Sequence, residues 1–267
     1  MSNDLFSLSG RRALVTGANA GIGRALTLGL AAQGADLVLH HLDDAAGTAA
    51  LARQVSAMGR DAAVVQADFS DHDAVARLAA DAAKIGLIDI LVANAAIERR
   101  CPWETVTPAH IEAHVAVNFT AVLQLAEAFV PAMAARGWGR VIALGSVLAH
   151  RPRAETVIYA ALKSAQLTAI RAIARDVASS GVTMNVIAPG AIETERTAER
   201  YADVDFRRAV IAKIPVGRQG QPTDCVGPVV MLCSDAGSYI TGAEIPVDGG
   251  WSIGDPPGAL PQPAGTT

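Results

Sequence analysis

Thr16–Gly23 reads TGANAGIG; it directly follows the apolar run Ala13–Thr16 (ALVT) and opens a helical pattern over Gly21–Gln33. A strand, a glycine loop and a helix in that order decide the fold. Gly17 permits the tight turn, Gly21 lets backbone approach a phosphate, and Gly23 lets the helix pack close to the sheet. The helix N-terminus then offers unpaired N–H groups and a partial positive charge to a pyrophosphate. The spacing is G-x3-G-x-G, not the G-x-G-x-x-G of the general dinucleotide fingerprint, so a purely structural strand-to-helix turn is the alternative. Its position at the first strand–helix junction favours the ligand.

The same rhythm continues outward from the loop. Short apolar runs at Asp36–His40, Ala62–Gln66, Ile88–Ala93, Arg140–Leu144 and Thr183–Ile187 predict strands, with helices to about Met58 and near 71–85, 108–135 and 157–180. Continuously apolar strands separated by helices imply a parallel sheet covered on both faces. The expected architecture is a single doubly wound α/β domain over residues 1–253, with ligands beyond the carboxyl ends of the strands. Residues 191–215 (AIETERTAERYADVDFRRAVIAKIP) are polar, helix-compatible and too long for a plain connection, so they read as a lid. Residues 254–267, with four prolines and no periodicity, read as a loose tail.

Composition narrows the function classes. With 267 residues, 51% hydrophobic and 18% charged, the chain can bury a sizeable core. Lys and Arg number 22 against 26 Asp and Glu, a net charge of −4, and no basic stripe interrupts the pattern. A nucleic-acid reader is therefore not expected. Cys101, Cys225 and Cys233 are odd in number and lack metal-ligand spacing, which fits a reducing compartment and argues against a disulfide framework or a zinc site. The N-terminus has no secretory pattern, and no segment approaches 18 consecutive apolar residues. A soluble cytoplasmic protein with a small-molecule partner, no metal and no membrane contact is expected.

Tyr159 and Lys163 form Y-x3-K within a predicted helix, so their side chains share one face. In a chain with only three lysines this pairing is informative. An ammonium beside a phenol lowers its pKa towards working pH, and such a phenol exchanges a proton with a carbonyl or alcohol. The alternative is a surface Tyr stacked on a Lys stem. Ser146, after Arg140–Leu144, offers a hydroxyl to a reacting oxygen or serves as a strand-end cap. Asn118 lies in the apolar stretch HVAVNFTAV, either as a satisfied core amide or as the holder of a relay water. Asp68 accepts from an adenine amino group or caps a helix with Ser70 or Asp71. Asn94 ties neighbouring strand ends together or touches a ribose. Pro189-Gly190 closes the sixth strand, and Thr194 follows where a nicotinamide amide would lie.

In order and spacing these pieces, with IPVDGGW at 245–251, make the sequence resemble the short-chain dehydrogenase/reductase family over roughly residues 8–253. The resemblance implies a Rossmann-type fold and NAD(P)-dependent interconversion of an alcohol and a carbonyl. It implies Tyr159 as acid/base, Ser146 polarising the substrate oxygen, Lys163 lowering the Tyr pKa and binding the ribose, and Asn118 holding a relay water. Contacts to the dinucleotide are implied for Gly17, Asn19, Gly21, Ile22, Gly23, His41, Asp68, Asn94, Tyr159, Lys163, Pro189, Gly190, Ile192 and Thr194. A homotetramer built through the helices at about 108–135 and 157–180 and the C-terminal strand is implied as well. The family's usual NNAG is ANAA here, at 93–96.

The end of the second strand, where an acid selects NAD, carries His41 in HHLDD. With neither an acid nor an arginine there, the reading is NADP or NAD, leaning to NADP. Glu98, His150, Arg151 and Glu155 lie in loops expected near the pocket, and a charged lining suits a polyhydroxylated substrate better than an apolar one. Solvated loop charges are the alternative. IERR at 97–100 and GAIETERTAERYAD at 190–203 are similar to aldose 1-dehydrogenases, which implies a sugar or polyol substrate. A 3-oxoacyl-carrier-protein reductase shares the motifs, but the basic residues that group carries near positions 137 and 180 are Gly137 and Ser180 here. A non-catalytic dinucleotide-binding scaffold would predict a broken tetrad, and all four residues are present.

Overall fold

A computed structural model describes residues Leu5–Gly254; the expected tail, apart from Gly254, lies outside the described residues. Seven parallel strands form one sheet in the order β3-β2-β1-β4-β5-β6-β7. In chain order they are β1 (Arg12–Val15), β2 (Asp36–His41), β3 (Ala62–Gln66), β4 (Ile90–Ala93), β5 (Gly139–Leu144), β6 (Val182–Pro189) and β7 (Glu244–Val247). β5 and β6 are buried along their whole length, whereas β3 and β7 at the edges are only partly covered.

Alternate side chains of each strand point to opposite faces, and each face has its own core. Leu14, Val38, Leu91, Val141 and Met184 pack beneath α3 (Ala74–Ile85), α5 (Ala121–Ala135) and α6 (Val157–Val177), against Leu78, Leu125 and Leu167. Ala13, Val15, Leu37, Leu39 and Ile142 pack beneath α1 (Gly21–Ala32), α2 (Ala45–Ala57) and α9 (Val226–Cys233), against Leu26, Leu51 and Val229. Each fully buried leucine contributes about 1.5–3 kcal/mol of transfer free energy, so slipping a strand by one residue would forfeit both layers.

Two predicted elements differ in detail. The helix expected over 108–135 is α4 (Pro108–Val115), a π-turn at Ala116–Thr120, and α5. By length and composition Pro108–Ala135 is apolar enough to cross a bilayer, yet Leu125, Phe129 and Met133 lie in the core under the sheet. The 191–215 stretch holds α7 (Glu195–Ala202) and α8 (Val204–Ile211). Their apolar side chains join a third cluster of Leu148, Tyr159, Val210, Ile214 and Trp251, with Tyr201 and Phe206 against it.

Candidate active site

The strand order reverses direction between β1 and β4, and beyond their carboxyl ends opens a cleft of about 320 Å³. Its floor is the glycine loop. Gly17 and Gly21 have φ of +61° and +50°, where a side chain is strained. A Cβ on Gly23 would stand 2.0 Å from the Gly17 carbonyl oxygen and 2.6 Å from Asn94 Nδ2. Asn94 Nδ2 donates to the carbonyls of Thr16 (2.8 Å) and Gly17 (3.0 Å), and Thr16 Oγ1 accepts the Asn94 and Ala95 N–H groups. Asn94 thus ties β4 to the loop after β1, and it also faces the cleft.

His40 braces the loop from below. Its Nδ1 accepts the Gly17 N–H at 3.1 Å, Nε2–H donates to the Ala67 carbonyl at 3.0 Å, and the ring stacks on Phe69. Burial lowers this imidazole to about 4, so it stays neutral and both bonds persist. Nothing in the sequence separated His40 from His41; successive strand residues face opposite sides, and the sheet decides which one meets the loop.

The residues present fit a dinucleotide. Any Cβ would fill the cradle, and Ala20 at the head of α1 supplies no side-chain cap, leaving that helix end for an anion. One anion already lies there: Glu195, the first residue of α7, accepts the Gly21 N–H at 3.2 Å. Ile22, Pro189, Gly190, Ile192 and Thr194 line the same cleft. Asn19, His41 and Asp68 do not. Asn19 donates to Asp44, the cap of α2. Asp68 is exposed and accepts from the N–H and hydroxyl of Ser70, which is its local capping role. His41 is buried, and its Nδ1 has no partner among the described residues.

Ser146 follows β5 and accepts the Leu148 N–H at 3.1 Å, and its hydroxyl also meets that of Tyr159. One turn along α6, Lys163 Nζ stands 5.5 Å from the Tyr159 ring centre and donates to the Leu144 carbonyl and, at 3.0 Å, to Gln166 Oε1. The expected lowering of the phenol is reversed here. Burial, then the Glu98 carboxylate, pushes Tyr159 up to about 12; burial, then Arg196, brings Lys163 down to about 7. Both groups lose water, and that loss is the largest influence on each.

Asn118 sits in the π-turn, fully buried, but does not line the cleft. Its Nδ2 donates to the Ile97 carbonyl and its Oδ1 accepts the Ile97 N–H, both at 2.9 Å. The core-amide alternative describes its side chain, which fixes the loop after β4.

Of the four expected substrate residues only Glu98 reaches the cleft. His150 turns away to Glu244 on β7 at 2.7 Å, Arg151 donates to the Trp251 carbonyl, and Glu155 pairs with Arg100 and Arg153. The charge that lines the cleft is mostly arginine: Arg100, Arg153, Arg196 and Arg200. Glu98 pairs closely with Arg100 and at 3.9 Å with Arg196. Arg200 lies 4.3 Å over the Phe206 ring, Arg153 5.6 Å over Trp251. Burial and the neighbouring guanidiniums of Arg100 and Arg153 lower Arg200 from its ordinary value. The four-residue spacing of Arg196 and Arg200 on a predicted helix was a readable sign that both share a face.

The family model described as enoyl-(acyl carrier protein) reductase matches residues 17–252. The 2-dehydro-3-deoxy-D-gluconate 5-dehydrogenase of Pseudoalteromonas atlantica is 38% identical over 258 residues, covering 92% of this chain and 97% of that protein. The gluconate 5-dehydrogenase of Gluconobacter oxydans is 37% identical, covering 94% and 98%. The 3-oxoacyl-[acyl-carrier-protein] reductase of Escherichia coli is 35% identical, covering 91% and 98%. Among solved structures, a putative NAD(P)-dependent gluconate 5-dehydrogenase from Beutenbergia cavernae with bound NADP superposes with a TM-score of 0.89 at 39% identity, covering 93% and 99%.

Proposed function

This chain belongs to the short-chain dehydrogenase/reductase family and is an oxidoreductase moving a hydride between NAD(P) and an alcohol or carbonyl; from that premise we propose that its substrate is a sugar acid. The cleft lining carries this reading: four guanidiniums line it with Tyr159, against the carboxylates of Glu98 and Glu195 in the lining and of Glu155, which pairs with Arg100 and Arg153. A neutral sugar would leave that excess positive charge uncompensated in a partly dry site, whereas a carboxylate compensates it and accepts paired hydrogen bonds from guanidinium. Hydroxyl groups along the chain suit Glu98 and Ser146. Gluconate dehydrogenases among the relatives support the same class. NADP is the favoured cofactor, since no acid stands at His41 to repel its extra phosphate and a similar structure holds NADP.

In this reading Gly17, Gly21, Gly23 and the head of α1 hold the pyrophosphate, and Lys163 lies near the ribose. Bound NAD(P) supplies the hydride acceptor or donor. Ser146 orients the substrate oxygen by hydrogen bonding, and Tyr159 passes it a proton on reduction or removes one on oxidation. Arg100, Arg196 and Arg200 bind the carboxylate end, and residues 191–215 act as a lid that excludes water. An absorbance assay at 340 nm tests the reading, with NADP and NAD separately against gluconate, neutral aldoses, polyols and a β-ketoacyl thioester. Turnover of gluconate above neutral sugars supports it; thioester reduction with silence on gluconate would move the chain to the acyl reductase branch.

We also propose a homotetramer in a reducing, cytoplasmic setting. Ile111 and Val157 are exposed on α4 and α6, Tyr239 and Ile253 near the open edge of β7, and all three cysteines are free. Light scattering near four times the 27.5 kDa chain mass is expected.

A further inference from the structure

Glu98 and Arg100 reach the cleft from a loop without regular structure, Ala95–Cys101, and such a loop needs something to hold its backbone. Two histidines one turn apart on α4 do so. Their rings stack with centres 4.5 Å apart and planes within 6°. His114 Nε2 accepts the Arg99 N–H at 3.2 Å, while its Nδ1–H donates to the His110 carbonyl at 2.8 Å. His110 Nε2–H donates to the Arg99 carbonyl at 3.1 Å, and its Nδ1 faces Cys101 Sγ at 3.8 Å. Both backbone groups of Arg99, the residue between the two that enter the cleft, are therefore held by imidazoles. Asn118 holds both backbone groups of Ile97 in the same way.

We infer that His114, together with His110, is a positioning residue that clasps the substrate loop by reading the Arg99 backbone, and that the clasp opens when His114 takes up a proton. His114 is fully buried, and a second proton would put an N–H against the Arg99 N–H with no water to separate the donors. The groups acting on the ring are His110 on its own helix and Arg99 and Glu98 on the loop; α6 also packs against α4, and no charge on it acts on this imidazole among the described residues. Burial, the largest influence, holds His114 below its ordinary value; the bond to the His110 carbonyl and the Glu98 carboxylate work against it, and the charges of His110 and Arg99 work with it. The clasp is therefore closed at neutral pH and opens as pH falls below the usual histidine range. Its consequence for turnover rests on the reading of Glu98 and Arg100 as substrate contacts.

The test compares native protein with His114→Gln and His114→Phe. Glutamine offers an amide oxygen to Arg99 and an N–H to His110 without titrating; phenylalanine keeps a flat ring and offers neither. Amide hydrogen exchange read by NMR should show Arg99 protected in native protein and His114→Gln, with at least tenfold less protection in His114→Phe. Between pH 7.5 and 4.5 native protection should fall, and that of the glutamine variant should hold. With gluconate and NADP, KM should rise at least fivefold in His114→Phe while kcat and the NADP dissociation constant stay within twofold. Native KM should climb towards pH 4.5 and the glutamine variant's should stay flat. Equal protection of Arg99 in native and His114→Phe proteins would overturn the clasp. Lost protection with unchanged KM would overturn its role towards substrate. If His114→Phe fails to fold, the contrast in pH profile between native and glutamine proteins decides. If gluconate is not turned over, the sugar-acid reading fails by itself; the exchange measurements judge the clasp unchanged, and KM is taken with whichever alcohol the native enzyme oxidises.

Discussion

The floor of the cleft, residues 16–23, and its opposite wall, residues 194–206, are held in place by different means. The floor is held through its own main-chain groups: the Thr16 and Gly17 carbonyls accept from the Asn94 side chain, the Gly17 N–H donates to the His40 ring, and Gly23 has no space for a methyl. The wall is tied by side chains. At its base Arg207 grips both oxygens of Glu193 at 2.8 and 2.9 Å, and at its tip Glu195 reaches across to Gly21. Main-chain hydrogen bonds fix a shape that serves any ligand with a pyrophosphate. Side-chain charges fix a shape that one substitution can retune. The floor thus suits a cofactor shared by many reactions, and the wall suits a substrate peculiar to this chain.

The sharpest way to break the comparison lies between the two regions, at the reacting group. Tyr159→Phe should lower kcat by about 10³-fold with the NADP dissociation constant unchanged; retention of a tenth of native activity would remove Tyr159 from proton transfer. On the floor, Gly23→Ala should weaken NADP at least tenfold in a fluorescence titration, because its methyl meets a carbonyl that cannot retreat without breaking the Asn94 bonds. On the wall, Arg200→Leu should raise the KM for gluconate by about tenfold, the worth of one charged hydrogen bond, and leave NADP binding alone. A matching loss for a neutral polyol would mean that Arg200 supports the wall's shape and does not read charge.

The acid form of Tyr159 is the stable one, since its phenol sits at about 12. Reduction, which needs the proton, should hold steady through neutral pH. Oxidation, which needs the phenolate, should accelerate about tenfold per pH unit towards pH 10, as stopped-flow hydride transfer would report; a flat oxidation profile would mean the phenol is ionised at neutral pH once cofactor is bound. The smallest effect belongs to the contact that joins the regions. Glu195→Gln removes an anion from the head of α1, so NADP should bind two- to fivefold tighter, less so at high salt. Unchanged affinity across ionic strength would show that the carboxylate leaves Gly21 at no cost.

The floor was legible because its information is local. TGANAGIG lies between a strand and a helix in eight consecutive residues, and Tyr159 and Lys163 share a helical face by spacing alone. The wall was legible only as a polar stretch that breaks the rhythm. Among the loop residues, Glu98 was expected in the cleft and is there, whereas His150, Arg151 and Glu155 point elsewhere. A loop has no period from which to deduce a direction, and the partner that draws His150 away, Glu244, arrives 94 residues later. The same holds for the expected Tyr159–Lys163 coupling: spacing implied the shared face, but the water excluded around Tyr159 belongs to packing by residues far apart in the chain, among them Leu148, Val210, Ile214 and Trp251.

By itself the sequence determined the parallel sheet, the glycine cradle and the shared helical face of Tyr159 and Lys163, since periodicity and short-range spacing are properties of the chain; the reaction class followed from the family resemblance that those motifs carry. Only the tertiary structure decided that His40 and not His41 braces the loop, that Asn118 grips Ile97, that burial sets the phenol high and the ammonium low, and that arginines from three separate segments converge on the cleft. Those depend on which face of a strand meets which neighbour and on how much water is excluded, and both are fixed by contacts between residues far apart in the chain.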